Sequence, residues 1–411
     1  MTEFLELVPP FQALKVLIEH LPEREIPSEV VSLQDGSGRV LVNRIFAPEP
    51  LPAFSRSTVD GFAVIAADTH GASDSLPMYL KVVGEVPMGD EARFKLNKGE
   101  TAVIHTGGML PEAADAVVMI ENTQISRPGE IEIYKSVGKF ENILRQGEDV
   151  QVGDLILEQG IVLRAPEIGG LAALGITRIQ VAKKPMIGIL SSGDEVISPD
   201  QNPKPGQVRD INSYSLSTLV QQAGGIPKRY GIVPDQASVL ESALRKALQE
   251  NDMVIITAGS SASVRDLTAQ TIQKMGEPGV LVHGVNIKPG KPTILAVCDG
   301  KPVIGLPGNP VSALVIASVF VIPTIEKIGG KKDKRPAQFI PAKLTVNLSS
   351  QTGREDWIPV NLIPDKDGYL AEPIFYKSNL IFSLAKADGL IHIPADANGL
   401  PIGEIVKVYS L

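Results

Sequence analysis

Between Pro185 and Gly330, short apolar runs alternate with segments of helical periodicity, and that alternation confines the region to a sheet joined by crossover helices. Strands are predicted at 186–190 (MIGIL), 228–233 (KRYGIV), 253–257 (MVIIT) and 302–306 (PVIGL). One helix is predicted from Asn212 and Ser213 to Ala223, stopped by Gly224-Gly225. Asp235 opens another, with Val239, Leu240, Ala243, Leu244 and Ala247 on one face. The helix after Gly308-Asn309-Pro310 is apolar almost all round, which predicts burial between sheet and neighbours. A parallel sheet follows, with its ligand loops at the carboxyl ends of the strands.

The flanking regions have a different texture. After Pro9-Pro10, the positions Phe11, Leu14, Leu17, Ile18 and Leu21 fall near a 3.6-residue period and predict an amphipathic helix. From about residue 36 to 180 the runs LKVVGEV, TAVIHTGG, DAVVMIE, GEIEIYK and DLILEQGIVL are separated by Gly, Pro and Asp, which predicts one or two β-rich domains. Lys331, Lys332, Lys334 and Arg335 form a charged linker before a tail of short strands suited to a small β-barrel or sandwich. A length of 411 residues agrees with several domains, at about 100 to 200 residues each.

Composition excludes several classes. With 43% hydrophobic and 21% charged residues the chain is globular rather than disordered or fibrous. The acidic N-terminal stretch lacks a signal-peptide pattern, and the longest apolar run, Val311 to Pro323, falls short of the ~20 residues of a membrane span. A cytoplasmic protein with no membrane partner is expected. The single Cys298 excludes an internal disulfide and a cysteine-based zinc or cluster site. A net charge of −8 disfavours nucleic acid but allows a local cationic pocket, so the expected partner is a small molecule.

Four polar stretches of the α/β region are candidate ligand sites. In SSGDEV (191–196), Ser191, Ser192 and Gly193 allow close approach to the backbone, while Asp194 and Glu195 either bind a cation or heterocycle or cap the turn. ITAGSSASVRD (256–266) offers Gly259, Ser260, Ser261 and Asp266 as an anion or pterin cradle, without the Walker pattern of a nucleoside-triphosphate loop; an ordinary glycine-bearing turn is the alternative. NIKPGKP (286–292) sets Lys288 and Lys291 around a stiff turn, either as an anion clamp or as a solvated pair. In GLPGNPVSA (305–313), Pro307, Gly308 and Asn309 lead into a helix whose free N–H groups favour anions. Outside this region, Arg56, Ser57, Thr58 and Asp60 form a polar cluster in an apolar β-like segment, and Thr106 and Asp149 carry no signal of their own. Carboxylates at Asp60, Asp149, Glu195, Asp235 and Asp266 beside an anion site point to hard cations such as Mg²⁺.

The ordered motifs STVDGFA, GGMLPEAADAVVMIE, NILRQGEDV, SSGDEV, NIKPGKP and GLPGNPVSA resemble the molybdopterin molybdenumtransferase family, which includes the C-terminal domain of gephyrin, across nearly the whole chain. The resemblance implies a multidomain α/β plus β protein. A linker domain of helix and β structure comprises 1–50 and 146–182, and a β-rich domain 51–145. A parallel α/β domain of molybdopterin-binding type spans 183–330, and a C-terminal β-barrel domain 331–411. It implies a homodimer whose active site lies between protomers, with molybdate and adenylylated molybdopterin as substrates, Mg²⁺ as cofactor, AMP as a product and a molybdopterin adenylyltransferase as an allowed partner. By motif match, Asp60, Thr106, Asp149, Glu195, Asp235 and Asp266 fall at functional polar positions of the family, with Asp60, Glu195 and Asp235 as metal ligands. Lys288 and Lys291 fall at its basic positions. The chain departs from the family at Val59 and Phe62, and at GSSASVRD in place of a GGVSxGxxD loop, which bears on Asp266. A tungstate-inserting relative, a molybdopterin adenylyltransferase and a non-catalytic scaffold are the competing readings.

Overall fold

The computed structural model describes residues 6–258, 262–332, 335–336, 338–375 and 377–410. Its largest core surrounds a six-stranded sheet in the order Ile226–Val233, Met186–Ser192, Met253–Ala258, Lys301–Pro307, Ile294–Cys298, Pro278–His283. The four strands expected from sequence are mutually parallel. Two more, each paired antiparallel with its neighbour, make the sheet mixed; Ile294–Cys298 runs against the other five strands. No helix separates them, so the alternation that marks crossover connections is missing there; the NIKPGKP turn joins them directly. Their register brings His283, Ile294 and Gly305 side by side, which puts that turn at the same sheet edge as the carboxyl ends of the parallel strands.

Helices cover both faces, and the central strand Met253–Ala258 is buried at every position, as its unbroken apolar run requires. The expected helices appear as Asn212–Gln222, Ala237–Glu250 and a continuous helical run Pro310–Ile328. That run widens into a π-turn over Ala317–Val321 just before Pro323, whose ring excludes ordinary α geometry in the preceding turn. It is long and apolar enough to cross a membrane by composition, at 19 residues and a mean hydropathy of 1.9, but 61% of it is buried within the protein.

The helix Pro10–Glu19 starts with proline at its first turn and buries Ala13 and Leu17 in the core of the α/β sheet. The segments that follow it form a small unit with a region more than 100 residues away. Ser28–Ser32 pairs with Arg178–Ala182, and Ile45–Phe46 with Leu155–Leu157, around Leu163, Leu171, Ile179 and Val181. Between these segments the chain makes a second six-stranded sheet, in the order Ala116–Met119, Gly61–Val64, Glu100–Ile104, Met78–Val86, Glu130–Ile133, Thr123–Arg127, with apolar clusters on both faces.

The tail closes into a barrel. Phe339–Leu344, Glu355–Asp365, Gly368–Pro373, Gly389–Ile393 and Ile405–Tyr409 form a complete ring, because Glu355–Asp365 pairs with both Gly368–Pro373 and Gly389–Ile393. Closure removes the free edges that a sandwich would expose.

Candidate functional site

A cavity of about 690 Å³ opens between the carboxyl edge of the α/β sheet and the barrel. The sheet side supplies Lys288, Lys291, Pro307, Gly308 and Asn309, all expected from sequence, together with Ser312. Arg354, Asp356, Trp357 and Ser378 come from the barrel side. The walls are held together at two points. Ile287–Lys288 adds a short parallel bridge to Glu355–Asp356. Ser378 accepts a hydrogen bond from Nδ2 of Asn309 at 3.1 Å, and its carbonyl takes the N–H of Val311 at 3.1 Å. One donor of the helix end, expected to be free for an anion, is therefore occupied by the barrel.

The two lysines are fixed by their turn. Pro289 and Gly290 are buried while Lys288 and Lys291 are exposed, and Gly290 has φ +116° with its Cα pressed toward Ile316, so a Cβ there would collide with that side chain. Neither lysine has a carboxylate partner among the described residues, whereas Arg354 is paired with the buried Asp356 at 2.7 Å. Three cations and one carboxylate among the lining side chains leave the cavity positive inside an acidic protein.

A second polar group lies at the same sheet edge. Oγ of Ser191 donates to Asp210 at 3.0 Å, and that carboxylate also accepts the N–H of Ser213 at 3.0 Å. Oγ of Ser192 donates to Asp235, whose own N–H donates to Asp194 at 3.2 Å. Gly193 adopts φ +151° between them, where a Cβ would meet Val196 and Glu195. Glu195 is exposed and Asp235 half-buried. Nδ2 of Asn212 donates to the Gly308 carbonyl at 2.8 Å, tying this group to the cavity wall. Asp266 is exposed on the helix Ala262–Gln273, and Gly259, Ser260 and Ser261 lie outside the described residues.

Asp60 and Thr106 meet in the other six-stranded sheet. Oδ1 of Asp60 accepts the Thr106 N–H at 2.8 Å and its hydroxyl at 3.2 Å, which holds the exposed carboxylate below its ordinary pKa, the backbone bond acting most strongly. Ser57 is buried and its hydroxyl donates to the Val59 carbonyl at 2.6 Å, closing a local turn. Arg56 is exposed opposite Leu144, and the exposed Asp149 is anchored beside Leu51 by a 3.0 Å backbone bond. None of these residues lines the cavity within one chain. Asp60, Glu195 and Asp235 likewise do not form a common ligand set, and no group of three or more His, Cys, Asp or Glu side chains among the described residues is placed to hold a metal.

The barrel residues Arg354, Asp356 and Ser378 escaped the sequence reading. Their one local signal was GREDW (353–357), a charged triplet beside the only tryptophan of the chain, inside a segment otherwise patterned for a barrel strand.

Comparison with known proteins accounts for the whole architecture. Residues 8–175 match the MoeA N-terminal region (domain I and II), 188–327 a probable molybdopterin binding domain, and 341–411 the MoeA C-terminal region (domain IV). A putative molybdopterin biosynthesis protein of Methanocaldococcus jannaschii is 37% identical, with 96% of this chain and 95% of that protein covered. The molybdopterin molybdenumtransferase of Haemophilus influenzae is 31% identical, with 97% of each covered. The crystal structure of the molybdopterin biosynthesis moeA protein of Pyrococcus horikoshii OT3 superposes with a TM-score of 0.85 at 32% identity, covering 98% of this chain and all of that one. With three family regions matched in order and full-length relatives above 30% identity, the chain belongs to the molybdopterin molybdenumtransferase (MoeA) family.

Proposed function

We propose that this protein inserts molybdate into adenylylated molybdopterin with Mg²⁺-dependent release of AMP, as a cytoplasmic homodimer. The observation that carries the reading is the cationic cavity, in which Lys288 and Lys291 have no carboxylate partner among the described residues and Arg354 stands opposite them. Unpaired cations on a rigid turn stabilise an oxyanion or phosphate without rearranging, because the fold has already oriented them. The lysines bind and orient the anions, the barrel wall limits water, and the hydroxyls of Ser312 and Ser378 supply directional hydrogen bonds.

Mg²⁺ takes one or two carboxylates and completes its shell with phosphate oxygens and water. Glu195 and Asp235 flank the loops at the sheet edge and fit that limited demand. When bound there, the ion would neutralise charge at the phosphoanhydride. Asp60, with Thr106 holding its charge, stands at the end of the second six-stranded sheet and Asp149 beside Leu51, and both are proposed to complete the site from the second protomer. A molybdopterin adenylyltransferase is the proposed protein partner, since it would supply the activated substrate.

We also propose that the domains divide as 1–50 with 146–182, 51–145, 183–330 and 331–411. Separate apolar cores support this division, apart from the first helix, which packs on the α/β sheet.

The test is AMP release from adenylylated molybdopterin with Mg²⁺, run with molybdate and tungstate in parallel. Lys288→Ala and Asp60→Asn should fold as wild type and lose roughly 10²-fold or more in rate, the usual cost of removing a preorganised charge. Absence of AMP release by the wild-type protein, or normal turnover by both variants, would overturn the proposal.

A further inference from the structure

A guanidinium offers two bidentate edges, one formed by Nε–H and a neighbouring Nη–H, the other by the two Nη groups at the tip. In Arg354 the first edge is occupied. Nε donates to Oδ1 of Asp356 at 2.7 Å, and Nη2 to Oδ2 at 3.0 Å. The tip edge carries only a long 3.4 Å contact from Nη1 to Oε1 of Gln351, an exposed residue. Asp356 is 4% exposed at its side chain, and its backbone is held between Lys288 on one side and Ile393 on the other. The neighbouring acid does not compete for the arginine, because Glu355 is paired with His392 at 2.9 Å. Asp356 therefore has a fixed position and Arg354 as its only ion-pair partner among the described residues.

We infer that Asp356 is a positioning residue that locks one edge of Arg354 and leaves the tip edge for the oxyanion bound by Lys288 and Lys291. The inference rests on reading the cavity as an oxyanion site. A planar fork held along one side has one remaining geometry for two parallel hydrogen bonds, which suits two oxygens of a tetrahedral anion. Asp356 also offsets one of the three positive charges of the cavity. The remainder matches a divalent anion, so a monovalent one is bound with less complementarity.

The experiment is titration calorimetry of sodium molybdate into the full chain and into Asp356→Asn, Arg354→Ala and the double variant, with melting curves confirming the fold. Asparagine keeps the size of aspartate, but its amide N–H₂ faces the guanidinium and cannot accept the second bond. Asp356→Asn should weaken molybdate binding roughly 10-fold or more and raise KM for molybdate more than it lowers kcat. Added to Arg354→Ala, the same change should cause no further loss of binding, because the residue it acts through is gone and a carboxylate that repels the anion has been neutralised. Equal losses in both backgrounds, or binding by Asp356→Asn as tight as wild type, would sink the inference while leaving the oxyanion site intact. Wild-type protein that binds no molybdate would remove the site reading and the inference together. If Asp356→Asn does not fold, Arg354→Lys serves in its place: it keeps the charge but has no second edge and should bind as poorly as Arg354→Ala, and wild-type affinity there overturns the proposal.

Discussion

Lys288 and Asp356 are register partners in the short parallel bridge that fastens the barrel to the α/β sheet. One pairing thus sets the distance between the lysine turn and the wall that carries Arg354, and the cavity geometry depends on main-chain hydrogen bonding as much as on side chains.

Gly290→Ala should disturb the lysine turn. Its φ of +116° disfavours any side chain, and the added methyl would collide with Ile316 in a packed core. A loss of about 1–3 kcal/mol in urea denaturation is expected, with AMP release falling more than stability alone explains. An unchanged midpoint would show that the turn tolerates the methyl.

Thr106→Val should raise the pKa of Asp60 while leaving it below the ordinary aspartate range. The hydroxyl bond is lost and the stronger backbone N–H bond remains. In wild type the carboxylate keeps its charge further into acid, so any stability it contributes is present above the unfolded pKa and fades as pH falls through the folded one. Carboxyl-carbon NMR titration of Asp60 reads the shift; no upward movement would contradict the assigned cause.

Glu167→Gln should destabilise the helix Ala165–Ala173. Glu167 accepts the Arg164 guanidinium at 2.7 Å and the Arg164 N–H at 2.8 Å, with the guanidinium bond chiefly holding its pKa at about 2. A cost of about 1–2 kcal/mol is expected at neutral pH. Because the folded pKa is depressed, the wild-type advantage should shrink as pH falls from the ordinary carboxylate range toward about 2. A difference between the two proteins that did not change with pH would count against the ion pair as its source.

Leu17→Ala should cost about 2–5 kcal/mol, since Leu17 is fully buried in the α/β core. If that helix were an independent part of the linker unit, thermal unfolding of the α/β core would be unaffected. We expect the main transition to move instead.

The motifs around Lys288, Lys291 and Asn309 were legible because each is a local pattern whose spacing already restricts its backbone. The four parallel strands were legible for the same reason, as apolar runs punctuated by amphipathic helices. The strands Pro278–His283 and Ile294–Cys298 and the arginine wall were not, since no crossover helix lies between those two strands to mark them apart and Arg354 is an ordinary surface residue until the barrel closes. Asp60 could be read as a polar residue in an apolar setting, but its pairing with Thr106 joins positions 46 residues apart.

The order of amino acids by itself determined where the four parallel strands, the helices between them and the lysine turn form, because sterics, periodicity and burial act over a few neighbouring residues. Which charges face one another was decided only by tertiary structure: sheet register and barrel closure bring together side chains from distant segments, and electrostatic interaction depends on distance in space rather than along the chain.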